Sequence, residues 1–401
     1  MRKLISSVAI ATLIISGYAQ EPTSWRGPGR DGIYPETGLL KQWPAGGPEI
    51  LWSFEELGQG HSSAIVDQGF VYTTGMIGQT GYLFKFDLKG NLVYKKEYGQ
   101  EFYESWYGTR GTPTIVGDKI YLLSGQGKLC CIDNESGNIL WSKVLSKEFG
   151  GSVIQWGMNE TPVVDGKVLY ITPGGKKHNL VALNRHTGEL IWSSPGKGEL
   201  TAYCTPLLFE HNGRKMLATH SESYVMGFDA ITGKMLWSQH HPNEWSVHPN
   251  TPLYHEGKLF YLSGYGSGGG MLELSSDGNS ARRIWTHKNM DSRMGGAVLV
   301  DGYIYGSGDS RLWVCYDWDT GKEQYTSREI GHGVVIYADG MLYCYSQRGE
   351  LALVTPDPSG FKVVSQTKVA KGSEQHWAHP VIYDGVLYVR HGRALVAYKV
   401  K

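Results

Sequence analysis

Leu129-Cys-Cys-Ile-Asp133-Asn-Glu-Ser-Gly137-Asn-Ile-Leu-Trp141 reads as two short strands joined by a tight turn. The first half is built of strand-forming residues and ends in Asp. Gly137 supplies the turn, and an aromatic closes the second half. The cassette recurs with its spacing intact. Leu180 to Asn184 leads through Gly188 to Trp192, Val225 to Asp229 through Gly233 to Trp237, and Trp313 to Asp317 through Gly321 to Tyr325. A copy one residue shorter runs from Phe84 through Asp87 and Gly90 to Tyr94. Looser copies span 272–285 and 351–364, and a last copy, Leu395 to Tyr398, meets the C-terminus before its turn.

Recurrence at roughly 45 residues, with several strands per unit, predicts a propeller. A small sheet has two apolar faces and cannot bury both alone, whereas a closed ring packs each blade between two neighbours. Between Thr112 and Trp141 one unit reads as an inner strand, a Gly117-Asp118 turn, a second strand, a Gly-rich turn and the cassette. Ile50-Leu-Trp52 matches the closing half that the last copy lacks. The predicted fold is therefore all-β: an eight-bladed β-propeller of four-stranded blades over 50–401, its last blade closed by an N-terminal strand. Residues 20–49 read as an irregular Gly/Pro-rich lead-in.

Thirty-eight basic and 38 acidic residues cancel, which gives no reason to expect nucleic acid or a charged membrane surface as partner. Residues 1–19 have the form of a cleaved signal peptide: Arg2 and Lys3, an apolar run from Leu4 to Ile15, then Gly17-Tyr-Ala19. No cysteine follows that cleavage pattern, so the expectation is a periplasmic or secreted protein without a membrane anchor. Five cysteines in no paired pattern predict packing residues, with adjacent Cys130 and Cys131 on opposite faces of one strand.

The cassette, seen as LVALNRHTGELIW and VMGFDAITGKMLW, together with the RGPGRDG…GLL…WP…GP…LW lead-in, resembles the bacterial pyrroloquinoline-quinone-like (PQQ-like) propellers. The resemblance covers essentially the whole chain after the signal segment. It implies an eight-bladed propeller with cassette aromatics wedged between blades. The group holds quinoprotein alcohol dehydrogenases, an outer-membrane assembly lipoprotein and other, non-lipidated exported proteins, so it fixes a fold rather than a function. Its dehydrogenase branch implies PQQ with Ca²⁺ held by Glu, Asn and Asp, a stacking Trp and an adjacent Cys pair in an axial loop. Here the adjacent pair lies inside a cassette strand and the three ligands find no matching motif. Neither the quinone nor a metal is expected.

Function is sought in the loops that join each blade's outer strand to the next inner strand, because they ring one mouth of the channel. They present His61, then Trp106, Tyr107 and Arg110, then Trp156, Asn159 and Glu160, then Tyr203. Trp245 and His248 follow, then Arg293, His332, and finally His376, Trp377 and His379. Tryptophan repeated in loops suggests a stacking surface. The expected ligand is a saccharide, stacked on Trp106, Trp156, Trp245 and Trp377, with Arg110, Asn159, His248, Arg293 and His379 orienting its polar groups. Arg110 and Arg293 have two readings: structural bridges to Glu160 or Asp309, or receptors for an anionic group on the ligand.

Two alternatives remain open from the residues. One is an enzyme in the same funnel, a quinone-dependent dehydrogenase or a glycan lyase or hydrolase, with acid–base candidates His61, Tyr107, Glu160, Tyr203, His332 and His376. The other is a scaffold that docks a protein partner at its rim.

Overall fold

The computed structural model describes residues 21–401. The signal segment 1–19 lies outside the described residues. Eight antiparallel sheets follow in chain order, each with four strands of the ring. We number them as blades: blade 1 spans 65–100, blade 2 114–144, blade 3 163–194, blade 4 207–240, blade 5 253–287, blade 6 298–327, blade 7 333–368 and blade 8 381–399. Blade 8 takes its outermost strand from Ile50–Phe54, which pairs antiparallel with Ala394–Lys399. The two ends of the chain thus close the ring, as the broken last cassette predicts.

Each cassette is held by local bonds. Asp133 Oδ1 accepts from the Ser136 amide at 2.9 Å, Asp229 Oδ1 from Thr232 at 2.8 Å, and Asp317 Oδ1 from Thr320 at 2.8 Å. The turn glycine that follows sits at positive φ (+71° at Gly137), a conformation cheap only for glycine. The missing side chain has a second use. A Cβ on Gly90 would lie 2.6 Å from Cδ2 of Trp52, and one on Gly321 would lie 2.5 Å from Cδ2 of Trp285. The closing aromatic of one blade therefore lies flat on the turn of the next. The cores are correspondingly shared between neighbouring blades, as in the cluster that unites Leu129 and Cys131 with Leu169 and Val181. Cys130 points the other way, into a cluster with Leu83 and Tyr98 of blade 1. All five cysteines are free and buried.

The lead-in departs from expectation. It contains a two-residue strand, Ile33–Tyr34, that pairs in parallel with the inner strand of blade 7. Before that it crosses the axis. Thr23 exchanges two backbone hydrogen bonds of 2.9 Å with Ile115 of blade 2. Arg26 donates to Ala297 O, beside the inner strand of blade 6, at 2.5 Å, and the Tyr337 amide of blade 7 donates to Gly32 O at 2.8 Å. An irregular segment must satisfy its own backbone somewhere, and this one does so on inner-strand groups facing the channel. The channel is thereby plugged by the chain's own N-terminal segment.

Candidate functional site

Above the plug lies a cavity of about 390 Å³ lined by the inter-blade loops, within the size range of small-molecule sites. Its walls are aromatic. On one side Trp377 packs between His61, at 4.7 Å between ring centroids, and Trp106, at 5.5 Å. On the other, Trp156 neighbours Tyr203 at 6.3 Å, Trp245 at 6.0 Å and Tyr265 at 6.2 Å, the last nearly parallel at 10°. Trp25 of the lead-in forms the floor and meets His379 edge-on at 5.0 Å. Trp106 is 52% exposed and Trp245 41%, while Trp156 and Trp377 are half-buried. None of the four predicted indoles is sealed between blades.

The loops hold these rings at a backbone cost. Trp106, Tyr203 and Tyr265 all have left-handed φ, at +48°, +68° and +55°. Such a conformation costs a bulky residue about 1–3 kcal/mol and persists only where surrounding contacts impose it. Those contacts are visible. Arg110 donates to the carbonyls of Trp106 at 2.7 Å and Gly108 at 3.1 Å, which clamps its own loop. The Trp156 amide donates to Tyr203 Oη at 3.2 Å.

Arg110 and Arg293 bring cationic charge to the lining, and no Asp or Glu lines it. Burial holds the Arg110 guanidinium down to about 10. Arg293 Nε stands 3.7 Å from Asp309 Oδ1, so the expected bridge to Asp309 forms loosely and the one from Arg110 to Glu160 does not appear among the ion pairs. Burial also keeps the lining histidines neutral: His61 lies well below its ordinary range and His379 is lowered to about 3. Neither His61 nitrogen makes a well-formed hydrogen bond, although the Tyr107 backbone approaches it. The indole N–H of Trp377 is likewise unpartnered among the described residues.

Of the predicted residues, His61, Trp106, Arg110, Trp156, Asn159, Tyr203, Arg293, Trp377 and His379 line the cavity. Trp245 neighbours Trp156, 6.0 Å away between ring centroids, without lining the cavity itself. The others go elsewhere. Glu160 is 2% exposed behind the wall, where both Thr172 N–H and O–H donate to it. Burial raises its carboxyl to about 8. His248 bonds to Ser263 and to Glu222 O, which braces the loop that carries Trp245 and Val247. His376 stacks on His391 at 3.6 Å and shares a hydrogen bond with Tyr345 Oη. His332 lies 3.8 Å from Asp309, off the cavity, and Tyr107 points to solvent. A histidine metal site would need His376, His379 and His332 or His61 together. Among the described residues no three His, Cys, Asp or Glu side chains converge in that way.

Trp25 is the aromatic lining residue that loop reasoning misses. Its only sequence signal is an aromatic inside a Gly/Pro-rich stretch, SWRGPGR. Tyr265, in a loop between the second and third strands of blade 5, is found once those loops are placed on the same face. A calcium-dependent quinone does not fit this cavity. The walls offer indoles and Asn159 but no carboxylate, and Cys130 and Cys131 are buried in blade 2.

Comparison with known proteins agrees with the architecture. The family described as "Outer membrane protein assembly factor BamB" matches residues 45–327. A quinone-type alcohol dehydrogenase subunit of Gluconobacter oxydans is 29% identical over 150 residues, 32% of this chain and 19% of that protein. The BamB of Legionella pneumophila is 28% identical over 130 residues, 32% of each chain. The matches thus cover a third or less of these relatives' length. In fold, the BamB structure from Moraxella catarrhalis superposes with a TM-score of 0.64 at 13% identity, covering 88% of this chain and 99% of that one. The quinohemoprotein alcohol dehydrogenase of Comamonas testosteroni gives 0.68 at 10% identity, over 94% of this chain and 80% of that one. With eight cassette-built blades and a family match over more than half its length, the chain belongs to the PQQ-like, BamB-type β-propeller family.

Proposed function

We propose that this chain is an exported binding propeller that takes a saccharide into the plugged funnel. The observation that carries the reading is the pair of aromatic walls. Loops from separate blades, three of their aromatic residues in costly left-handed backbone, hold rings around one cavity. Sugar rings present C–H faces that stack on such walls, while Asn159, Thr161 and Thr205 at the same surface suit hydroxyls. Isothermal titration against a panel of oligosaccharides tests it. Binding that Trp156→Ala weakens at least ten-fold supports the reading, and no binding by any member removes it.

A second reading, docking of a protein at the rim, has its own observation. The outer strands of four consecutive blades, 8, 1, 2 and 3, expose aliphatic pairs: Ile50 and Leu51, Leu92 and Val93, Ile139 and Leu140, Leu190 and Ile191. Blade 5 presents exposed Arg283 and a half-buried Ile284 at the equivalent positions. Such a contiguous apolar belt marks an interaction surface. A crosslinker at Leu140 that captures a protein missed by one at Arg283 supports this reading, and equal capture removes it.

A further inference from the structure

We infer that the funnel selects an anionic saccharide, whose carboxylate or sulfate is received by Arg110 and Arg293. The inference rests on the saccharide reading and adds the ligand's charge. Its first support is the sign of the lining, which holds two guanidinium groups and no Asp or Glu. A neutral sugar presents many hydroxyl donors, and sites for it gain from carboxylate acceptors. This cavity has none to offer.

The second support is the state of Arg110. Its hydrogen bonds among the described residues go to carbonyls of its own loop, Ser105, Trp106 and Gly108. The carboxyl whose charge acts on Arg110, Glu101, is committed elsewhere: it accepts from Tyr98 Oη at 2.5 Å and from the Gly125 amide at 2.7 Å. Arg110 is therefore a largely buried cation without an ion-pair partner among the described residues, beside an open cavity. A buried charge left unpaired is costly, and an incoming anion relieves that cost.

The third support is placement. Arg110 precedes blade 2 and Arg293 precedes blade 6, four blades apart in a ring of eight, so they approach the axis from opposite sides. The guanidinium of Arg293 lies 5.6 Å from the Tyr265 ring, beside the stacking wall, and its Asp309 contact is loose at 3.7 Å. Below the floor, buried Arg26 shares a 3.3 Å hydrogen bond with His379 Nδ1 and adds a third positive charge. Two walls that stack rings and two cations across the axis match a short oligomer carrying acid groups along its length. Arginine suits both carboxylate and sulfate because its fork donates in parallel.

Isothermal titration of the whole protein distinguishes the possibilities, using a uronate oligomer, a sulfated oligomer and a neutral oligomer of equal length. The expected result is that at least one charged oligomer binds ten-fold or more tighter than the neutral one, with affinity falling as salt rises. The tighter of the two charged probes identifies the acid group. Arg110→Gln and Arg293→Gln should each weaken the charged ligand about 10- to 100-fold, and Arg293→Gln should remove most of the preference for the charged over the neutral oligomer. If Arg110→Gln lowers the unliganded melting point, Arg293→Gln decides, since its guanidinium makes no hydrogen bond among the described residues. Neutral and charged oligomers binding equally overturns the inference and leaves the saccharide reading standing. Binding by none of the three overturns both.

Discussion

Arg26 is the residue on which the plug depends, and Arg26→Met is the most informative change to make in it. Methionine keeps much of the side-chain volume and removes the donors. The guanidinium is 2% exposed and donates to Asp31 O at 2.8 Å and Ala297 O at 2.5 Å, with a weaker contact to His379 Nδ1 at 3.3 Å. Two charge-assisted bonds to carbonyls are worth about 3–6 kcal/mol gross. A guanidinium buried with no ion-pair partner among the described residues forgoes several kcal/mol of solvation, part of which methionine returns. The net loss expected is therefore ~2–3 kcal/mol, or a fall of ~3 °C in melting temperature for a chain of this length. Hydrogen exchange gives the local readout. The Ile115 amide bonds to Thr23 O and the Tyr337 amide to Gly32 O, so both should lose protection while amides in the middle of the blades keep theirs. Unchanged protection at both sites with an unchanged melting point would show that Arg26 does not hold the lead-in, and the account of the floor would fail.

Three further outcomes follow from the packing and the charges. Gly90→Ala must both strain φ = +85° and push a methyl into Trp52, at a cost of ~2–4 kcal/mol; Gly69→Ala, with φ = +81° and open space around it, should cost only ~1–2 kcal/mol in the same denaturation assay. Glu160 is held near 8 against an ordinary 4.5, so the folded state keeps its proton. That contribution is full below 4.5 and lost progressively as pH rises from there to about 8, so Glu160→Gln should gain on the parent across that window in thermal melts and hold its full advantage above pH 8. Histidines run the other way. His241 and His287 are lowered to about 3, and His248 and His376 to about 4, from an ordinary 6.5, so their contribution is present above 6.5 and fades as pH falls toward those values. They outnumber the buried carboxyls Glu101 and Glu160, and the melting point should drop between pH 6.5 and 4.

What the sequence alone determines here is the repeating unit, because the interactions that define it are local. An Asp or Asn that accepts from the turn two or three residues on, a glycine free to take positive φ, and an aromatic at fixed spacing all act within about a dozen residues. Recurrence of that unit gives the blades, and the missing half of the last copy gives the closure by Ile50–Phe54. The loops that ring the funnel follow from the same topology, which is why nine of the named residues meet at one cavity. Tertiary structure alone decides the rest. Glu160 and Asn159 are adjacent in the chain, yet Asn159 faces the cavity and Glu160 turns behind it to Thr172. The local pattern carries no information on that choice. His376 and His379 likewise part company, one onto His391 and the other onto Trp25. The path of the lead-in is the clearest case. Thr23 and Arg26 find their partners 92 and 271 residues away, at Ile115 and Ala297, and no periodicity marks an irregular segment whose backbone is satisfied only by the assembled channel.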